Sequence, residues 1–448
     1  MKKVIKDIGI IGIGKMGRAM AQRGLDLGDS IRVWNRRDTP MLSHIVTQGA
    51  LRANSLPELL SHTNNIILTL ADDHAITEIV QNIEAALVSG LEQGVLNYKE
   101  LEEKCFIDCS STCPNLTRRI ATTLKTKYGV AWIDAPVSGG PLSAVKGRLA
   151  MMVGGNQAAV TKVKDILLMF APSIHYIGES GAGQKAKLCN QIILSCFFLA
   201  VAESVRFAEA VFENTAHLAD ELNQGHARSR FVEVFAPRMI DRNYTEALGS
   251  ISILLKSLRH INALSLQDDV LPLVNQMQNF FEDVEKAGHE DKEPSLFVDF
   301  LSQKSKAERR SVSTIAPEHL NKLCTDIVVS SLVLAITEAM KLAAICGVDF
   351  NLSEAFENGF ADSELLQSID KWRKGKGAAT LATVGGLTNS IKEIREIAQQ
   401  LKLTQPFFEC IENYFQTMIS PDYTDRNLAE LVDILAESSR SHFRASQP

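Results

Sequence analysis

Residues 8–17 read Ile-Gly-Ile-Ile-Gly-Ile-Gly-Lys-Met-Gly, an apolar run that leads directly into three glycines spaced G-x-G-x-x-G. The apolar run predicts a buried strand, and the residues from Met16 onward predict a helix. Gly12 permits a tight turn, Gly14 lets a phosphate approach the backbone, and Gly17 allows the helix to pack closely on the strand. The helix N-terminus would face the negative charge of a pyrophosphate. We therefore predict a dinucleotide-binding turn.

Strand-like and helical segments alternate over the first 180 residues. Amphipathic stretches such as Met16–Leu27 and Asp73–Val88 separate the apolar runs. The runs predicted as strands are Ile8–Ile13, Ile31–Trp34, Ile66–Leu70, Phe106–Ile107 and Ala131–Ile133. Such alternation is typical of parallel strands joined by crossover helices. We expect an α/β Rossmann-type doubly wound sheet in this part of the chain.

The remainder of the chain has few strand-like runs, and its apolar residues recur every three or four positions, which predicts an all-α region. Lys187-Leu188-Cys189 recurs 135 residues later as Lys322-Leu323-Cys324, and the same offset aligns Glu203 with Glu338. We interpret this region as a duplicated helical domain. The alternative is that two unrelated buried helices share an apolar pattern.

Composition narrows the class of protein. The chain has 448 residues, more than one ordinary domain, with 45% hydrophobic and 22% charged residues. Its net charge of −6 gives no basic surface for nucleic acid, and no apolar run reaches the ~20 residues of a membrane span. Eight cysteines are too few for a disulfide scaffold, and their spacing does not favour a metal site. We expect a cytoplasmic protein without metal, nucleic-acid or membrane partners.

The end of the second predicted strand bears on cofactor choice. It reads Val33-Trp34-Asn35-Arg36-Arg37, where an NAD site usually has an acidic residue for the ribose hydroxyls. Two guanidinium groups would instead bind the 2′-phosphate of NADP. We therefore expect NADP, with NAD the less favoured cofactor; a solvated basic turn is the alternative.

Four motifs in order give the chain a resemblance to the β-hydroxyacid dehydrogenase family. That family includes 3-hydroxyisobutyrate dehydrogenase and tartronate semialdehyde reductase, and 6-phosphogluconate dehydrogenase is related to it. After the glycine motif come Asp108-Cys-Ser-Ser-Thr-Cys-Pro114, Asp134-Ala-Pro-Val-Ser-Gly-Gly140 and Gly181-Ala-Gly-Gln-Lys-Ala-Lys187. The resemblance covers residues 8–191 and continues more weakly to about residue 302.

The third motif contains a candidate substrate loop. The two glycines of Ser138-Gly139-Gly140 would let backbone N–H groups converge on one point, forming a small anion site that the serine hydroxyl completes. By resemblance this loop holds the carboxylate of a hydroxy acid; a structural glycine turn is the alternative. The resemblance also places Ser111 at the nicotinamide end of the cofactor, although its hydroxyl could instead cap a helix.

Lys187 is the predicted catalytic residue. Reduction of an aldehyde needs a hydride and a proton, and a buried lysine with a lowered pKa can donate that proton or take it back. Gly181 and Gly183 precede it, which predicts a place in the first turns of a long helix. Lys322 of the second copy lacks these glycines, so we interpret it as structural.

Two positions depart from the family pattern. Four residues after Lys187 the family has a substrate-binding asparagine, whereas this chain has Gln191, with Asn190 just before it. Lys256 is retained from the family's K-D-L segment, but Ser257 replaces its aspartate. These changes leave the identity of the substrate more open than the type of reaction.

The resemblance implies an oxidoreductase that interconverts a small β-hydroxy acid and its semialdehyde, and the end of the second predicted strand makes NADP the expected cofactor. The expected partner is a small-molecule carboxylate substrate, and the expected oligomeric state is a homodimer. Its expected domains are a dinucleotide-binding domain at 1–180, a helical substrate and dimerisation domain at 181–303, and a second helical copy at 304–448. The expected cofactor-binding residues are Gly12, Gly14, Lys15, Met16, Gly17, Asn35, Arg36, Arg37, Leu70, Ala71, Ser111 and Lys256. The alternatives are a sugar-acid enzyme of the 6-phosphogluconate dehydrogenase type and a non-catalytic NADP(H)-binding protein.

Overall fold

The computed structural model describes residues 5–212, 214–245, 247–265, 271–304, 315–376 and 382–445. The chain forms two compact units. The first contains Met1–Lys187 together with two short segments from much later in the chain, Val348–Phe350 and Glu354–Gly359. The second contains Leu188–Gly347, Asn351–Ser353 and Phe360–Pro448. The domain boundaries expected at residues 180 and 303 stay predictions, because compact units and sequence repeats need not coincide.

A nine-stranded sheet forms the centre of the first unit. Its strands are β1 (Asp7–Ile11), β2 (Ser30–Trp34), β3 (Leu51–Arg52), β4 (Asn65–Leu68), β5 (Cys105–Asp108), β6 (Ala131–Asp134), β7 (Val137–Ser138), β8 (Ala150–Gly154) and β9 (His175–Gly178). They are ordered β3-β2-β1-β4-β5-β6-β8-β7, with β9 also paired to β8. The strands from β3 to β6 are all parallel, and β8 runs antiparallel to β6 and β7. The order 3-2-1-4-5-6 confirms the predicted Rossmann-type sheet.

Helices cover both faces of this sheet. They are α1 (Lys15–Asp26), α2 (Pro40–Thr47), α3 (Leu56–His62), α4 (Asp73–Glu92), α5 (Tyr98–Glu102), α6 (Pro114–Tyr128), α7 (Gly140–Lys146) and α8 (Gln157–Leu167). Successive strand side chains point to opposite faces, so Ile10 and Ile67 belong to one buried core while Ile11 and Ile66 belong to the other. Two cores on opposite sides of one sheet are the signature of a doubly wound fold.

Helices make up the rest of the described chain. They are α9 (Ala182–Val211), α10 (Leu218–Leu222), α11 (Arg230–Ile240), α12 (Ile251–Ser265), α13 (Pro272–Lys286), α14 (Phe297–Lys304), α15 (Pro317–Ile345), α16 (Leu352–Phe356), α17 (Glu364–Arg373), α18 (Val384–Gln400), α19 (Pro406–Met418) and α20 (Leu428–Ala445). Three short 3-10 turns lie at Gly225–Ala227, Pro294–Leu296 and Pro421–Tyr423. The all-α region that the sequence predicts is therefore confirmed.

The helices from α9 to α14 and from α15 to α20 follow the same order. Each series begins with a helix of about thirty residues, followed by a five-residue helix. The third helix of each series has a serine N-cap, Ser229 for α11 and Ser363 for α17. These two serines pair with each other in an antiparallel bridge, as equivalent residues do across a two-fold axis. The repeat that we infer from the sequence therefore has a structural counterpart.

The two long helices, α9 and α15, are long and apolar enough to cross a membrane by length and composition. Their most apolar windows are, however, 100% and 89% buried within the protein. Burial of this kind is what a helix in the centre of a folded domain shows.

Candidate active site

The three glycines of the turn between β1 and α1 have different surroundings. Gly12 has a φ of +93°, and a Cβ there would lie 2.5 Å from the carbonyl oxygen of Thr69. A Cβ on Gly17 would overlap the carbonyl oxygen of Gly12. Gly14 differs, since no atom of the described residues lies within 4 Å of the position that a Cβ would take. The turn is thus closed by packing at both ends and open at its middle glycine, as phosphate binding requires.

A cleft of about 430 Å³ lies over this turn. Six of the predicted cofactor-binding residues line it: Gly12, Gly14, Asn35, Arg36, Leu70 and Ala71. The sequence did not single out several other lining residues, which are Trp34, Thr39, Met41, Ala75, Glu78 and Ile79. The cleft fits the adenosine end of a dinucleotide because apolar side chains form its walls and the glycine turn forms its edge.

The other predicted cofactor-binding residues lie outside this lining. Lys15, Met16 and Gly17 belong to the first turn of α1, and Arg37 is exposed just after β2. Ser111 is half-buried in the loop between β5 and α6, whose N-cap is Cys113, so Ser111 does not cap that helix. Lys256 lies on α12 in the second unit.

Asn35 ties the end of β2 to the glycine turn. Its side-chain oxygen accepts a hydrogen bond from the Ile13 N–H at 3.2 Å, and its amide donates to the Arg37 carbonyl at 2.9 Å. The amide therefore holds both polypeptide segments at the edge of the cleft. Arg36, the next residue, forms an ion pair with Glu78 of α4.

Asp134, at the end of β6, fixes the start of α9. Its carboxylate accepts the N–H of Gly181 at 2.8 Å and that of Gln184 at 3.1 Å. Close contact at this point requires Gly183, because a Cβ there would lie 2.8 Å from the Asp134 carbonyl oxygen. Burial raises the pKa of the Asp134 carboxyl to about 6, although these backbone N–H groups act to lower it.

A second buried carboxylate organises the neighbouring loop. Asp108, at the end of β5, accepts hydrogen bonds from the Ser110 N–H and the Thr112 hydroxyl, both at 2.9 Å. The side chain of Gln184 bridges the same loop to α9, since it accepts the Thr112 N–H at 3.0 Å and donates to the Ser110 carbonyl at 2.9 Å. Burial raises the pKa of the Asp108 carboxyl to about 7.

Lys187 lies in α9, three residues after Gln184. Its side chain is buried, with 6% of the residue exposed. Because Asp134 and Gln184 fasten the preceding turn to the carboxyl ends of β5 and β6, Lys187 lies on a helix that is fixed at this edge of the sheet. Asp134 begins the third sequence motif and Gln184 lies in the fourth, but nothing in their spacing reveals that the two motifs contact each other.

The predicted substrate-binding residues are also buried. One turn after Lys187, Gln191 is 2% exposed, and its Oε1 atom has no hydrogen-bond partner among the residues that the structure describes. Asn190 is fully buried beside it on the same helix. A buried acceptor without a partner is costly, and a donor on a ligand could satisfy it.

The Ser138 loop has the backbone that its glycines predict. Gly139 and Gly140 have φ values of +126° and +76°, which favour glycine. The Ser143 hydroxyl donates to the Gly139 carbonyl at 2.6 Å and so fixes the turn. Ser138 itself is 4% exposed.

A late segment of the chain packs against this loop. Gly359 belongs to the first compact unit, and a Cβ there would lie 3.1 Å from the Cβ atoms of both Ser138 and Ala150. The preceding residue, Asn358, has a φ of +67°, so the chain turns sharply at this contact. No sequence pattern predicts this contact, because no local signal connects residues more than 200 positions apart.

Among the residues that the structure describes, no three His, Cys, Asp or Glu side chains are grouped so that they could hold a metal ion. Asp108 and Asp134, the buried acids closest to the predicted site, are instead committed to backbone and hydroxyl donors.

Comparison with known proteins identifies the family. Residues 7–178 match the family described as the NAD-binding domain of 6-phosphogluconate dehydrogenase. Residues 181–301 match the NAD-binding domain of NADP-dependent 3-hydroxyisobutyrate dehydrogenase. An oxidoreductase of Bacillus subtilis is 31% identical over 239 residues, which are 53% of this chain and 79% of that protein. The chain belongs to the β-hydroxyacid dehydrogenase family.

Other members of the β-hydroxyacid dehydrogenase family agree. The 2-hydroxy-3-oxopropionate reductase of Escherichia coli is 30% identical over 237 residues, covering 53% of this chain and 77% of the relative. The structure of Mycobacterium tuberculosis 3-hydroxyisobutyrate dehydrogenase with L-serine aligns with a TM-score of 0.54 at 23% identity, over 66% of this chain and 99% of that one. This likeness shows a shared fold. The protein is thus an NAD(P)-dependent dehydrogenase that acts on hydroxyl groups.

Proposed function

We propose that this β-hydroxyacid dehydrogenase uses NADP to interconvert a small β-hydroxy acid and its semialdehyde, with Lys187 as the general acid and base. The observation that carries the proposal is the anchoring of α9. Asp134 and Gln184 fasten the helix turn that precedes Lys187 to the carboxyl ends of the central strands, where ligands of doubly wound sheets bind.

Lys187 would move the proton. The bound nicotinamide supplies or accepts the hydride in this class of reaction. The lysine would protonate the carbonyl oxygen during reduction and take a proton from the hydroxyl during oxidation.

The substrate carboxylate would bind at Ser138, Gly139 and Gly140. The two left-handed glycines support this assignment because they allow consecutive backbone N–H groups to converge on an anion. Gln191, whose Oε1 atom has no hydrogen-bond partner in the described part of the chain, or the neighbouring Asn190 would contact the hydroxyl region of the substrate.

The preference for NADP rests on Asn35, Arg36 and Arg37. None of the three residues directly after β2 is acidic. The Asn35 amide is hydrogen-bonded to backbone groups, and Arg36 and Arg37 come next to it. Guanidinium groups bind phosphate well. The second matching family is also named for an NADP-dependent enzyme.

Steady-state kinetics with a panel of short hydroxy acids and semialdehydes, each with NADP(H) and NAD(H), tests this function. We expect turnover of a short β-hydroxy acid and a higher kcat/KM with NADP(H). Faster oxidation of 6-phosphogluconate than of any short acid would instead favour the sugar-acid alternative. Cofactor binding without turnover of any of these compounds would favour a non-catalytic protein.

A homodimer and a cytoplasmic location, both expected from the sequence, stay proposals. Light scattering of the full chain measures the first, with twice the 49.3 kDa chain mass as the expected result. A measured mass equal to that of one chain would contradict the dimer but would not affect the proposed chemistry. Microscopy of the tagged full chain in its own cells tests the location.

A further inference from the structure

We propose that Glu78 on α4 limits the preference of this enzyme for NADP by holding the Arg36 guanidinium in an ion pair. The inference rests on the proposed function, because it assigns Arg36 to the 2′-phosphate. Glu78 lies 42 positions from Arg36 in the chain. Neither the glycine motif nor the end of β2 would reveal its role.

The geometry brings the two residues together at the cofactor cleft. Arg36 follows β2 and Glu78 lies in the second turn of α4, and both line the cleft over the glycine turn. Their side chains form a direct ion pair while remaining 53% and 36% exposed. Ligand atoms in the cleft could therefore reach either group.

The first turn of α4 fixes the position of Glu78. Asp72 caps the helix by accepting the Ala75 N–H at 2.8 Å, and the Asp73 carboxylate accepts the Cys113 N–H at 3.1 Å. The glutamate is therefore held by a well-anchored helix, whereas Arg36 belongs to a loop. When the pair separates, the arginine is the partner free to move.

The two cofactors would meet this pair differently. The 2′-phosphate of NADP carries close to two negative charges, so it attracts Arg36 but is repelled by the Glu78 carboxylate. NAD has a hydroxyl at that position, which can donate a hydrogen bond to a carboxylate. Among the described residues that line the cleft, Glu78 is the only acid. It therefore offers NAD the acidic partner that Asn35 cannot supply.

The expected effect is moderate because both groups are partly exposed. Exposed charge pairs change equilibria by roughly two- to fivefold. Glu78→Gln removes both the competition for Arg36 and the repulsion of the phosphate. We expect NADPH to bind about 3- to 10-fold more tightly to this variant, and NADH to bind equally well or more weakly.

Fluorescence titration of the full chain with NADPH and with NADH tests this without any substrate. Glu84→Gln is the matched control, because Glu84 lies on the same helix and pairs with Lys127 at 3.0 Å. Both variants lose one negative charge. We expect the ratio of the NADH and NADPH dissociation constants to rise at least threefold for Glu78→Gln only, and the rise to shrink in 0.5 M salt.

An equal ratio in Glu78→Gln and Glu84→Gln, with unfolding transitions like that of the unsubstituted protein, would overturn the inference. A double-mutant cycle with Arg36→Gln shows whether Glu78 acts through the arginine. Additive effects on NADPH affinity would rule out that route. Tighter binding of NADH by the unsubstituted enzyme would refute the proposed NADP preference, whereas the role of Glu78 would still be judged by the change in ratio.

Discussion

Glu203 on α9 and Glu338 on α15 make the same contact in opposite directions. Glu203 accepts the N–H groups of Phe407 and Phe408 at 2.9 and 2.6 Å, at the start of α19 in the second helical series. Glu338 accepts the corresponding N–H groups of α13 in the first series, at 2.7 and 2.9 Å. Each carboxylate thus caps a helix of the other series, where the helix dipole also favours negative charge. The exchange resembles the isologous contacts of a symmetric dimer.

From the raised pKa values of these two glutamates we predict that the free energy of unfolding falls as the pH rises. Burial raises the pKa of Glu203 to about 8 and that of Glu338 to about 7, from an ordinary value of 4.5. The folded protein therefore keeps protons that the unfolded chain loses above pH 4.5. The stabilisation is complete below that pH and is lost as the pH rises towards 8, by up to ~1.4 kcal/mol per pH unit for each group.

Urea unfolding at pH 5 and at pH 8 measures this loss. Glu203→Gln cannot ionise, so its free energy of unfolding should change less between the two pH values. Arg206 and Glu409, which interact electrostatically with Glu203, stay in place in this variant. Glu396→Gln, an exposed change on α18, is the control and should keep the full pH dependence. The same pH dependence in Glu203→Gln and in the control would contradict the prediction.

Lys187→Ala is expected to reduce kcat by about 10²- to 10⁴-fold, because a general acid and base is lost. The dissociation constant of NADPH should change little. Lys322→Ala is the matched control, since Lys322 occupies the equivalent position of α15 and pairs with Asp326 and Ser390. Steady-state assays with the best substrate of the panel give kcat for the two variants. Similar turnover in both would remove Lys187 from the mechanism.

Asp134→Ala should lower both turnover and stability. It removes the acceptor for two buried N–H groups at the start of α9, and each buried donor left unpaired costs about 1–3 kcal/mol. We expect kcat to fall more than the affinity for NADPH, because Asp134 acts through the position of Lys187. Asp134→Asn keeps one acceptor and should rescue part of kcat. No difference between the Ala and Asn variants in kcat would show that Asp134 is only structural.

Gly359→Ala is expected to raise the KM for the hydroxy acid without changing the affinity for NADPH. The added methyl would press on the Ser138 Cβ at 3.1 Å and displace the substrate loop by a few tenths of an ångström. Gly249→Ala is the control, because its added methyl has no atom within 4 Å in the part of the chain that the structure describes. Initial-rate kinetics of both variants give the comparison. Equal KM values would show that the contact with Ser138 does not influence substrate binding.

The sequence predicts the first half of the sheet well because its signals are local. The run from Ile8 to Gly17 contains the strand, the turn and the helix start, and a single spacing identifies all three. The two-residue strand β3 is exposed and has no periodicity to detect. The prediction also misses β7 to β9. Strand β7 has only two residues and β9 is only partly buried, whereas β8 is a buried apolar run of the same kind as β5.

In the candidate site, too, only residues with a local sequence signal can be predicted. Lys187 and Ser138 are found from motifs, whereas Glu78 and Gly359 reach their places only through tertiary packing. The repeat aligns Glu203 with Glu338, yet it says nothing about which backbone groups they cap. Short-range patterns reveal which residues are special, and partners distant along the chain require the fold.

The packing of Glu354–Gly359 in the first compact unit affects the order in which that unit can fold during translation. A ribosome that has just released Lys187 has delivered the whole sheet, yet about 170 further residues must emerge before that unit is complete. At roughly 5–20 residues per second this delay lasts on the order of 10–30 s. During translation the sheet is therefore synthesised well before residues 354–359, and the Ser138 loop lacks its contact with Gly359 until then.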